Sequence, residues 1–203
     1  MNATPYAVAI TLGLSAAGFA AGAQAYQSGD WLARAGTHYI DPKSDNNDVV
    51  SVDGSLGITG SLVYFLRPTI AIDLLLAVPY QHDISLNGGG KVADTRHLPP
   101  TLSLVWYPQV SDVWHPFVGV GVNHTFFFDE STQGALEGTK LHLSDSTGIA
   151  AVAGVDFVLS PRWSLMLDLR YIDIDTKATV DGASIGDVEI DPIGYGMALG
   201  YQF

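Results

Sequence analysis

Five charged residues interrupt otherwise apolar or small-residue stretches: Arg34, Asp73, Asp156, Asp168 and Arg170. Carboxylates and guanidinium groups in such surroundings can move protons, hold an ion, or neutralise one another across a small interior. Six histidines add ring nitrogens at His38, His82, His97, His115, His124 and His142. None of them has paired metal-ligand spacing, although His82 and His97 flank one long loop and could approach each other. The chain has no cysteine, which removes thiolate zinc sites and disulfides. Gly119-Val120-Gly121 lacks the third glycine and the helix of a dinucleotide fingerprint. No metal and no cofactor is expected.

What must position these groups follows from composition and period. The chain is 47% hydrophobic and only 15% charged, with a net charge of −12 and no basic run. Nucleic acid is excluded as a partner, because its binding needs a Lys/Arg footprint. Residues 1–25 carry no charge, contain an apolar run and end in Ala23-Gln24-Ala25, an A-x-A cleavage pattern. They are expected to be a signal peptide, which leaves 26–203 as the exported domain. A short membrane anchor is the alternative, but the run falls short of the ~20 residues that span a bilayer. No later stretch could be a spanning helix. The most apolar one, 69–80, is broken by Asp73 and Pro79.

Period-2 alternation recurs along the rest of the chain. It predicts eight strands at 29–41, 55–67, 69–82, 98–107, 115–128, 147–159, 163–177 and 188–203. Short connections at 66–69, 108–114 and 160–162 alternate with long ones at 42–54, 83–97, 129–146 and 178–187. The long ones are rich in Asp, Asn, Ser and Gly and are expected to be solvated loops. Even strand number, tight turns at one end and long loops at the other describe an all-β, eight-stranded antiparallel up-and-down transmembrane barrel. Its short turns would be periplasmic and its long loops extracellular.

The segment HPFVGVGVNHTFFFDE, 115–130, assigns the faces. Val118, Val120 and Val122 are expected to meet lipid, and Gly119, Gly121 and Asn123 a narrow lumen. Ile70, Ile72, Leu74, Leu76, Val78 and Tyr80 fall on the lipid face of the third strand. A charge on that face near the midplane costs up to ~4 kcal/mol, so the five charges above must face inward. Aromatics at strand ends form the interfacial girdles: Trp31, Tyr39, Tyr64, Tyr80, Trp106, Phe126, Phe128, Trp163, Tyr171, Tyr195 and Tyr201. A soluble inside-out barrel would bury the large face and expose one of Gly and Ala without lysine, which does not fit. A membrane-surface Ser/His hydrolase is not assembled either, because no serine lies beside His124 on its face. An acyltransferase set of His, Asp and Ser is equally missing, so no enzyme is expected.

Six segments resemble the OmpW family, which includes the AlkL-type hydrocarbon importers. They are GDWLARAG (29–36), YIDP (39–42), LPPTLSL (98–104), HPFVGVGVNHTFFFDE (115–130), RWSLMLDLRYIDIDT (162–176) and IDPIGYGMALGYQF (190–203). The resemblance implies a monomeric eight-stranded barrel in a Gram-negative outer membrane. It also implies a narrow apolar extracellular vestibule, with passage of small hydrophobic molecules sideways through the wall into the membrane.

Sorted by height, the lumen-facing residues place Arg34, Asp73, Asp156, Asp168 and Arg170 in the lower or middle part, as a charged floor. Ile40, Ala77, Pro79, Phe127, Ile172 and Ile174 fall high, as an apolar funnel. Eight strands leave a lumen that side chains can fill, so a water-filled through-pore is not expected. Pro79 ends the third strand and Pro99-Pro100 begins the fourth. Proline lacks the N–H that the ladder uses, which marks this seam as the lateral outlet. The alternative is that the prolines merely end strands at the rim. The chain ends in Phe203, which resembles the terminal aromatic read by the barrel assembly machinery. Acidic loop residues such as Asp45, Asp48, Asp53, Glu137, Asp145, Asp181 and Asp187 are expected to be solvated. They could meet lipopolysaccharide only through divalent cations. The alternative to uptake is a structural or surface-receptor barrel, for phage or toxins.

Overall fold

The computed structural model describes residues 26–43, 50–87 and 89–203. The expected leader 1–25, the loop positions Asp45 and Asp48, and Gly88 lie outside the described residues. Fourteen strands form: β1 (Trp31–Asp41), β2 (Val50–Val52), β3 (Ser55–Arg67), β4 (Ile70–Ala77), β5 (Tyr80–Leu86), β6 (Lys91–Leu98), β7 (Thr101–Trp106), β8 (Trp114–Thr132), β9 (Leu141–Leu143), β10 (Ser146–Val158), β11 (Trp163–Ile172), β12 (Asp175–Val180), β13 (Ala183–Glu189) and β14 (Ile193–Gln202).

Eight of them close the barrel in the antiparallel order β1–β3–β4–β7–β8–β10–β11–β14, with β14 pairing back to β1. Closure leaves no edge strand, as a wall in lipid requires. The alternation does what the sequence demanded. Val118, Val120 and Val122 are 48%, 69% and 58% exposed on the outer face, while Asn123 is 1% exposed in the lumen. Trp31, Tyr39, Trp106, Phe126, Trp163, Tyr171 and Tyr195 stand exposed near the strand ends. Tyr64, Phe128 and Tyr201 are only half-exposed there.

The long connections depart from expectation. They are not simple solvated loops, because strands continue above the barrel. β5 and β6 form a hairpin that prolongs the third and fourth strands, with β2 on one side and the upper part of β8 on the other. β12 and β13 form a second hairpin, joined by β9 into a separate three-stranded sheet. These segments contain alternating apolar residues that the polar turn residues between them obscured. Val92, Leu143, Ala178 and Val188 are buried and join one cluster with Phe127, Ile172 and Ile174. Two of the loop acids act as staples. Asp145 Oδ1 accepts the Phe127 N–H at 3.1 Å, and Asp181 Oδ1 accepts the Lys140 N–H at 2.9 Å.

Candidate functional site: lumen floor, apolar chamber and third–fourth strand seam

The five inward charges meet in two networks. Arg34 Nη2 donates to Asp156 Oδ2 at 2.5 Å and to the Tyr107 hydroxyl at 2.7 Å, with its guanidinium 5.1 Å from the Phe117 ring centroid. Tyr26 donates to the same Asp156 oxygen at 3.2 Å and stacks on Phe65. Higher up, Arg170 bridges two strands, with Nη2 to Asp73 at 2.8 Å and Nε to Asp168 at 2.7 Å. His38 joins them, its Nε2 3.0 Å from Asp168 Oδ1 and its Nδ1 2.8 Å from the Thr59 hydroxyl. Gly196 makes this possible, since a Cβ there would collide with both Asp168 and His38. All five charges and His38 are buried. Tyr26, Phe65, Tyr107 and Phe117 form a buried aromatic layer beside the lower of the two networks.

His38, Tyr26 and Tyr107 escaped the sequence reading. His38 shares the inward phase of Arg34 and Ile40 on β1, so the strand period alone could have found it. Tyr26 precedes any strand and reaches the floor through tertiary packing.

Above the floor lies a mostly apolar, partly open chamber. Val52, Ile84 and Phe127 belong to its wall, and Leu143, Ala178 and Val188 come from the upper sheet. Of the expected funnel residues, Phe127 lines it directly, while Ile172 and Ile174 are buried in the cluster beneath. Ile40 is buried and Ala77 half-buried. Pro79 is a correction: it is exposed on the outer wall, because the alternation slips at Val78-Pro79 and puts two successive residues outside. The same slip turns Tyr80 inward. It was expected in the outer girdle and is instead 2% exposed. Its ring occupies the space left by the missing side chain of Gly57. Tyr80, His97 and His82 then form a ring stack, with centroids 5.5 Å apart for Tyr80–His97 and 4.8 Å for His82–His97. The approach of the two histidines was legible as a possibility, but their burial was not. His82 lies above the outer aromatic rim, and burial pushes its imidazole below the usual histidine range.

The chamber encloses about 40 Å³. An apolar cavity that holds benzene measures roughly 150 Å³, so here the upper sheet closes on the chamber.

The seam below the ring stack is interrupted. Pairing of β4 with β7 runs from Ile70↔Trp106 to Leu75↔Thr101, and resumes between β5 and β6 at Tyr80↔His97. Residues 76–79 and 98–100 make no ladder pairs across the seam. Each side is held by its outer neighbour instead: the Val78 N–H donates to the Ile58 carbonyl, and the His124 N–H to the Pro100 carbonyl. Pro99 is buried, Pro100 half-buried, and Leu76 and Val78 are exposed on the outer face beside the gap.

Asp173, Asp175 and Asp191 gather at the outer rim, with carboxylate oxygens within 4.8 Å of one another. Asp191 is already engaged by the Ile174 N–H and by Lys43 Nζ at 3.4 Å.

A sealed floor, an apolar upper lumen and this wall are the setting in which the relatives matter. The sequence profile of the OmpW family matches residues 27–203. The chain belongs to the OmpW family. Outer membrane protein W of Vibrio cholerae is 35% identical over 199 residues, covering 88% of this chain and 91% of that protein. Outer membrane protein AlkL of Ectopseudomonas oleovorans is 29% identical, covering 88% and 84%. Among solved structures, the crystal structure of the outer membrane protein OprG from Pseudomonas aeruginosa superposes with a TM-score of 0.80 at 30% identity. It covers 88% of this chain and 97% of OprG. This OmpW-family chain is an outer-membrane β-barrel protein. Its fold and family are those of barrel proteins that are generally not enzymes.

Proposed function

We propose that this OmpW-family barrel passively admits small hydrophobic molecules from outside the cell. The observation that carries the reading is vertical order. An apolar chamber sits above a lumen closed by buried ion pairs, and the wall between the two levels has a ladder gap at 76–79 and 98–100. A molecule entering from above meets apolar side chains, cannot continue through the charged floor, and has its weakest wall at the third–fourth strand seam. Pro79, Pro99 and Pro100 mark that outlet. Exit there delivers an apolar molecule to lipid without crossing water. The sequence resemblance to the AlkL-type hydrocarbon importers supports the same reading.

The export of the mature domain 26–203 after removal of residues 1–25, its monomeric state and its meeting with lipopolysaccharide belong to this proposal. So does recognition of Phe203 by the barrel assembly machinery. Phe203 donates its N–H to the Trp31 carbonyl and leaves its ring 63% exposed, which supports the last point.

The test is uptake by cells with and without the protein, using a long-chain hydrocarbon and a polar solute of similar size. Acceleration of the hydrocarbon alone is the expected result, and equal acceleration of both would mean a water-filled pore. The Pro79→Val/Pro99→Val double variant should restore pairing across the seam and slow hydrocarbon uptake. Unchanged uptake in a folded double variant would remove the outlet from this seam.

The small volume of the chamber favours one other reading, a structural or surface-receptor barrel whose upper sheet is permanently closed. No acceleration of either solute would select it.

A further inference from the structure

The chamber lining is mostly apolar, and His82, His97, Thr95 and Thr176 are its polar residues. His82 is 2% exposed and lines the chamber wall, and its Nε2 is buried without a hydrogen-bond partner. Its other nitrogen fixes the tautomer. Nδ1 lies 2.5 Å from the backbone carbonyl oxygen of Asp53, and a carbonyl only accepts, so Nδ1 carries the proton. Nε2 therefore presents a bare lone pair. The neighbouring groups cannot satisfy it. The His97 ring lies nearly parallel at 17° and offers its face rather than an N–H edge. The Thr176 hydroxyl donates to the Ser144 carbonyl at 2.6 Å, and that of Thr95 is turned to the Arg96 carbonyl at 3.4 Å. Among the described residues, His82 Nε2 is the one buried side-chain polar atom of the lining left unpaired. Burial also keeps this imidazole neutral near pH 7, so the lone pair is present under ordinary conditions.

An unpaired buried acceptor is unfavourable, and a guest that supplies a donor removes that penalty. Resting on the uptake reading, we infer that the chamber favours apolar molecules bearing a single O–H group, with His82 Nε2 as the acceptor that selects them over pure hydrocarbons. The chemistry is one hydroxyl on an apolar body, as in a medium-chain alcohol. The chamber's 40 Å³ cannot take such a body while the upper sheet is down. The guest takes the place of the side chains that β9, β12 and β13 insert, and its hydroxyl reaches His82 from within the chamber. His82 is a selecting residue and takes part in no covalent step.

The experiment uses the whole protein in phospholipid nanodiscs, with ¹⁵N-labelled histidine, titrated with 1-decanol and separately with decane. The Nε2 resonance of His82 should move toward the hydrogen-bonded range with 1-decanol and not with decane. An identical response to both ligands, or none to 1-decanol, overturns the inference. In cells, His82→Leu should lower the ratio of 1-decanol uptake to decane uptake by about two- to tenfold, the range of one net hydrogen bond. An unchanged ratio overturns the role of His82 and leaves hydrophobic uptake standing. Acceleration of neither compound by the unaltered protein overturns the uptake reading and this selectivity with it. His82→Leu also removes the donor to Asp53. Its folding is therefore checked by gel mobility of the unheated barrel, and the resonance measurement on the unaltered protein decides the matter if the variant does not fold.

Discussion

The lower lumen is closed by Arg34–Asp156 and by Arg170 between Asp73 and Asp168, while the upper lumen is closed by Phe127, Leu143, Val188 and their neighbours. The floor lies between the eight barrel strands, whereas the chamber, walled mainly by β2, β5, β6, β9, β12 and β13, lies above them. They differ in what opening would require. In the floor, each charge holds an opposite charge that would otherwise be stranded in a low-dielectric interior, so moving one group is unfavourable for its partners too. In the chamber, the lining contacts are largely non-directional and come partly from a three-stranded sheet outside the barrel wall, whose ion pair between Glu189 and Lys43 is partly exposed to solvent. The difference teaches where a barrel of this size can yield: at the apolar end, above the ion pairs and beside the broken ladder.

Cutting the floor should have the largest effect. Arg170→Met strands Asp73 and Asp168 and should lower stability by about 3–5 kcal/mol, the usual result of removing one partner of a buried pair. Urea unfolding in lipid vesicles, followed by tryptophan fluorescence, measures it. A loss below about 1 kcal/mol would mean that water reaches the floor, and the contrast with the chamber would collapse.

A matched small cut in the upper lumen should matter less. Ile174→Val removes one methylene from a fully buried site and should lower stability by about 1 kcal/mol in the same assay. A loss as large as that of Arg170→Met would show the two regions to be equally rigid.

Acid should separate them most finely. The folded-state pKa of His82 is lowered, chiefly by burial, against an unfolded value near 6.5. The unfolded state therefore binds the proton first as pH falls. The contribution of neutral His82 is fully present above about pH 6.5 and is lost progressively below it. The groups facing His82 are the Asp53 carbonyl, the Asp53 and Asp83 carboxylates and the His97 and Tyr80 rings; both carboxylates oppose the downward shift, and burial outweighs them. Hydrogen exchange should quicken in β5 and β6 between pH 6.5 and 5 while the lower halves of β1 and β11 stay protected. Equal exchange in both regions would remove His82 as the weak point.

Much of this was legible in the chain. Alternation over β8 and β14 gave the wall, because a strand between lipid and lumen must change polarity at every residue. The inward phase and the cost of charge in lipid pointed all five charges inward, and two arginines among three aspartates left their pairing possible without saying which would meet. The prolines marked the seam where pairing stops. The misreadings of Pro79 and Tyr80 share one cause. At Val78-Pro79 the alternation slips, which moved Pro79 out of the funnel and Tyr80 into the lumen, and a period-2 reading cannot foresee where the period breaks. The loop strands were hidden because Asp, Gly and Ser turns interrupt apolar runs too short to stand out.

By itself, then, the sequence determined the barrel, its faces and the inward phase of its five charges, which rest on local period and on the cost of a charge in lipid, and the family, which rests on the resemblance of six segments. Only the tertiary structure decided that Tyr26 reaches Asp156, that the rings of Tyr80, His97 and His82 stack, and that His82 in the chamber lining keeps an unpaired nitrogen. Those features depend on residues far apart in the chain meeting across the lumen, and no local pattern records which of them will meet.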